Sequence, residues 1–118
     1  PAGASVVHPH LQLLGSPLPG THHQLLLERS KDYLANNGSC YWMDLVDTEW
    51  EESSRKIAEL GSSRWMTAFS PVGVNEVNGV WTEKENFLQW TEEDVRNMAD
   101  GLSRSLRAYH DLGCSTFV

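Results

Sequence analysis

Apolar and polar positions change rhythm along this chain, and each change marks an element. Over residues 4–14 the period is two. Val6, His8, His10 and Gln12 fall at even positions, and Ser5, Val7, Leu11 and Leu13 at odd ones. That rhythm predicts a strand with Val7, Leu11 and Leu13 on a core face and both histidines and the amide together on the other. GSPLPG at 15–20, with two Gly and two Pro, ends it. The next spacing is helical. A helix is expected over 22–36, capped by Thr21, striped by Leu25, Leu26, Tyr33 and Leu34, and closed by Gly38 in a left-handed position. A second helix is expected over 43–60, stopped by Gly61 and mostly solvated because of its charged middle, EWEESSRK. RWMTAF at 64–69 has strand composition, SPVG makes a turn, and Asn78-Gly79 within NEVNGVWTE signals a tight turn. TEED from Thr91 is a capping-box pattern in which Thr91 and Asp94 satisfy the first amides of a helix. Val95, Met98, Ala99, Leu102, Leu106 and Tyr109 then form the cleanest amphipathic stripe in the chain, ending at Gly113 before a last strand begins in CSTFV. The order is α+β: a strand, helices, a short antiparallel sheet, a long helix and a final strand.

Composition narrows the function classes. At 118 residues the chain is one domain's worth, and 40% hydrophobic with 21% charged residues is the profile of a chain that folds. A net charge of -7 with nine scattered Lys and Arg residues excludes general nucleic-acid binding, which needs a basic face to displace counterions. It leaves room for one phosphate held by a few local donors. No apolar run has the length of a membrane span and no signal-peptide pattern is seen, so no membrane partner and a cytoplasmic location are expected. Cys40 and Cys114 stand apart, and two free thiols fit that compartment. A start at Pro1 and an end in CSTFV lead us to expect a piece of a longer chain.

The chemistry sits in the first strand. Neutral imidazole is a good nucleophile near pH 7 and leaves readily from phosphorus, so a histidine can carry a nucleotidyl group between two acceptors. His8 and His10 share a face, so one can attack while the other orients it. Gln12, one pleat further on, can donate an N–H to a phosphate oxygen as charge develops. Pro9 stiffens the backbone between the histidines. A solvent-facing polar pair is the plain alternative for the histidines, and a metal site built on them has no third ligand assignable by spacing.

GASVVHPHLQLLGSP resembles the active-site strand of galactose-1-phosphate uridylyltransferases and their relatives in the histidine-triad superfamily, with its His-Pro-His-x-Gln signature. The likeness continues more weakly through ERSKDYLANNGSCYWMDLVDTEWEESSRKI and RWMTAFSPVGVNEV into the last helix. The resemblance implies a histidine-triad-like antiparallel sheet with flanking helices, part of a two-repeat uridylyltransferase-type fold. Residues 1–20 would be the active-site strand and turn, 21–61 a helical linker and 62–118 the start of a second repeat. By position it makes His10 the nucleophile, His8 the first motif histidine, Gln12 the phosphoryl contact and Ser5 a phosphate-binding serine. The activity implied is nucleotidyl transfer between a sugar nucleotide and a sugar phosphate or phosphate through a covalent nucleotidyl-histidine. A hydrolase or phosphorylase of the same superfamily is the nearest alternative, and a non-catalytic self-associating fragment the other. The one cofactor the family allows is a structural zinc. His8 is its one candidate ligand here, with the other ligands lying upstream of Pro1, so no metal ligand is assigned. Expected partners are a sugar nucleotide or dinucleotide, and a second copy or the rest of a longer chain. Leu11 stands where many relatives have glycine.

The other candidates read as structural. His22 and His23 belong to an exposed first turn and His110 to a helix C-terminus. Trp65 and Trp81 are expected in the core, with Trp42, Trp50 and Trp90 packing near element boundaries. Glu49, Glu51 and Glu52 are expected on a solvated helix face.

Overall fold

The computed structural model describes residues 16–52 and 54–114. The predicted strand over 4–14 and the final strand lie outside them. Helix α1 (Thr21–Asn37) and helix α2 (Tyr41–Glu52) are followed by strands β1 (Lys56–Leu60), β2 (Ser63–Thr67) and β3 (Val77–Trp81) and by helix α3 (Glu92–Asp111). A single 3-10 turn, Phe87–Gln89, precedes α3. The strands form one antiparallel sheet in the order β1-β2-β3, so the chain is α+β as its sequence suggests.

Two element assignments are corrected. The helix expected over 43–60 ends at Glu52, and Lys56–Leu60 is a strand. KIAEL is built from residues that also suit helices. Its state is decided by the next element, because Leu60 pairs with Ser63 and Glu59 with Arg64 across the two-residue loop Gly61-Ser62. Gly61 is a hairpin glycine at φ +54°, not a helix stop. Asn78-Gly79 is no turn either. Both residues lie inside β3, opposite Met66 and Trp65. Gly79 lies under the Trp65 ring, which a Cβ there would approach to a tight 3.1 Å. The β2–β3 turn comes earlier and is organised by Glu76, whose carboxylate accepts from the amides of Val72 (2.8 Å) and Gly73 (3.3 Å).

Strand alternation divides the sheet between the last two helices. Trp65 faces α3, where Gly101 admits its ring; a Cβ at Gly101 would lie 2.0 Å from the indole. The indole N–H donates to Ser63 Oγ at 3.0 Å, and that hydroxyl donates to Leu60 O at 2.7 Å. On the other face Arg64 reaches Asp47 of α2 at 3.1 Å, and Trp50 of α2 donates to Glu59 at 3.3 Å. Glu49 belongs to this inner side of α2. It is 1% exposed and bound to Arg55 at 2.6 Å, which corrects its expected place on a solvated face. The buried apolar side chains among the described residues are Val46, Trp65 and Met66.

Helix α1 buries no residue. It meets α2 through Tyr33, whose hydroxyl donates to Asp44 at 2.9 Å and whose ring meets Tyr41 edge-on at 5.4 Å. Its N-cap is Gly20 rather than Thr21, and no side chain caps it; Gly38 takes the expected left-handed position at φ +73°. The capping box of α3 forms as read, with Thr91 and Asp94 exchanging side-chain and backbone bonds.

Candidate functional site

Ser5, His8, His10 and Gln12 all lie outside the described residues. Of the remaining histidines, His22 and His23 are exposed on the first turn of α1 and His110 on the last turn of α3, as expected. Among the described residues no three His, Cys, Asp or Glu side chains converge as a metal site. Cys40 and Cys114 are both free.

Two concavities stand out among the described residues. One is an aromatic groove of about 510 Å³ along the outer edge of β3, walled by the return loop that leads to α3. Trp81 and Trp90 lie with ring centroids 4.5 Å apart and planes inclined by 33°, and Phe87 meets Trp90 edge-on at 4.7 Å. Phe87 is 76% exposed, so this wall is a ready stacking surface. Trp42 of α2, Asn78 and Lys84 complete the groove. Sequence reasoning placed these tryptophans in packing roles and missed that they share a groove. The signal was the aromatic density of Trp81, Phe87 and Trp90 within ten residues. The groove can hold a ring, and the amine of Lys84 on its wall is paired with Asp94 at 3.5 Å.

The second is an apolar cleft of about 640 Å³ where the C-terminal half of α3 diverges from the sheet. Ile57, Ala58, Leu60 and Val77 line one side, Ser105, Ala108 and Leu112 the other. Its far end is closed by the Tyr109 hydroxyl, which donates to Asn75 O. Burial, and to a lesser degree the nearby Cys114, push the Tyr109 phenol above its ordinary value, so it stays neutral through the physiological range.

The most perturbed acid of the described chain, Asp94, is not among the lining residues of either concavity. Asp94 is 3% exposed and accepts from the Ser62 hydroxyl at the hairpin tip, and from the amide and hydroxyl of Thr91, both at 2.8 Å. Lys84 Nζ lies 3.5 Å away. These bonds, the one from Ser62 foremost, hold its carboxyl well below the usual carboxylate range, against the opposing effect of burial. All its acceptor capacity is turned toward the fold, so Asp94 is a structural anion, not a general base.

No family model matches this chain, and no solved structure matches it. A curated protein of Archaeoglobus fulgidus, described only as an uncharacterized protein, is 30% identical over 109 residues. The match takes in 92% of this chain and 32% of that protein, so the chain spans about a third of the length of the relative it matches.

Proposed function

We propose that this chain carries the reactive strand of a nucleotidyltransferase that works through a covalent nucleotidyl-histidine. The observation that carries the reading is the run Ser5, His8-Pro9-His10 and Gln12, which gathers a nucleophile, its orienting partner and a phosphate donor within eight residues. In the first step an imidazole nitrogen of His10 attacks the α-phosphorus of a sugar nucleotide. A P–N bond forms and the P–O bond to the sugar phosphate breaks. Gln12 donates to a non-bridging oxygen as charge grows there, and Ser5 holds the phosphate. In the second step a phosphate oxygen of the acceptor attacks the same phosphorus and releases His10. Water in the acceptor's place gives a hydrolase, and inorganic phosphate a phosphorylase. The Trp90 and Phe87 wall supports the reading as a surface on which a base or sugar ring stacks.

The test is the intact mass of the protein after brief incubation with UDP-glucose, ADP-glucose or a dinucleoside polyphosphate. The expected result is an acid-labile gain of one nucleotidyl group with one donor, absent from His10→Ala. No gain with any donor sinks the proposal.

A further inference from the structure

The apolar cleft between the C-terminal half of α3 and the sheet stands open. Leu112 on one side of it is 77% exposed and Ile57 on the other 51%. Apolar side chains that face each other across a gap gain by taking a third between them. The chain itself comes to the rim of this cleft. Gly113, at φ +72°, turns the backbone out of α3, and the Cys114 amide donates back to Tyr109 O at 2.8 Å. Asn75, which lines the cleft, donates from Nδ2 to Cys114 Sγ at 3.4 Å, and the Tyr109 hydroxyl donates to Asn75 O. Cys114 is thereby anchored at the Tyr109 end of the cleft.

We propose that the occupant of the cleft is Phe117 of the same chain. Ser115, Thr116, Phe117 and Val118 follow Cys114. Three residues of extended chain reach about 10 Å, so the Cys114 anchor delivers Phe117 to the cleft beside it. Charge favours an occupant of this kind. The charged groups that line the cleft are already engaged, Arg104 with Asp100 at 2.8 Å and Glu76 with the amides of Val72 and Gly73. An ionic ligand finds no free counter-charge there, whereas an aromatic hydrocarbon ring needs none. Trp65 also lines the cleft, so a ring seated in it extends the core from Trp65 toward the C-terminal end of α3. This seat is independent of the transfer chemistry proposed above.

Urea unfolding of the 118-residue chain tests this through a double-mutant cycle. Phe117→Ala and Ile57→Ala should each lower the midpoint, and the double variant should lower it by less than the sum, because both remove one contact. Phe117→Leu should recover most of the loss, and Thr116→Ala should leave the midpoint unchanged. In native buffer Phe117→Ala should bind more 1-anilinonaphthalene-8-sulfonate than wild type, as the emptied cleft takes the dye. A Phe117→Ala variant as stable as wild type, or additive losses at 117 and 57, overturns the proposal. So does a Phe117→Ala loss that vanishes on dilution, which would give the cleft to Phe117 of a second copy.

Discussion

Trp65 depends on two absent side chains. Its indole lies against Gly79 on β3 and Gly101 on α3, and each glycine marks where a strand or helix must come close to the ring. Alanine is worth about 1 kcal/mol over glycine inside a helix, so propensity alone favours Gly101→Ala. Contact decides otherwise, because a Cβ 2.0 Å from a buried ring must move the ring or the helix. Overpacking of that kind costs about 1–3 kcal/mol, and we expect Gly101→Ala to lower the urea midpoint of unfolding. A second residue-scale test concerns Glu49, which is buried and neutralised by Arg55. Arg55→Ala leaves that carboxylate without its cation, and a loss of about 2 kcal/mol in equilibrium unfolding is expected. Neither cost is legible in the sequence. Gly79 follows an asparagine, which is the signature of a turn, and Glu49 sits in an acidic run, which is the signature of a solvated face. The ring and the guanidinium that change those meanings come from fourteen and six residues away.

Among the elements, those whose signals are local were legible and those decided by a distant partner were not. Helix α3 announced itself through its capping box and stripe, and α1 through its leucines and Gly38. Lys56–Leu60 carries helix-forming residues and becomes a strand because β2 pairs with it; the local clue was Gly61-Ser62, a hairpin loop placed between two short apolar runs. That hairpin is fastened to α3 through Ser62 and Asp94, and the fastening is sensitive to pH. The Asp94 pKa is lower folded than unfolded, so its contribution to stability is complete above its ordinary value of 3.8. It is lost as pH falls below that value toward the folded one. Asp94→Asn is therefore expected to be less stable than wild type at neutral pH in urea unfolding, with the gap narrowing as pH drops through the acid range. A gap independent of pH would mean that the Asp94 charge does not hold hairpin to helix.

For the whole molecule, what was legible is divided between chemistry and packing. The candidate chemistry rests on one short stretch of sequence: Ser5, His8, His10 and Gln12 are read as a set without tertiary information. The grooves were not readable, because Trp42, Asn78, Trp81 and Trp90 come together from three elements. Packing carries a consequence for stability. With Val46, Trp65 and Met66 as its buried apolar side chains, the described part of the chain has a small core, while Val95, Met98, Leu102 and Leu106 remain open to water. With so few of them, each buried side chain is expected to weigh heavily: Met66→Ala removes a fully covered side chain (0% exposed), and a loss of about 2–5 kcal/mol in urea unfolding is expected. Val95→Ala, at a side chain that is 55% exposed, is expected to stay within about 0.5 kcal/mol of wild type. Equal losses at the two positions would mean that stability does not rest on the sheet face that Met66 occupies.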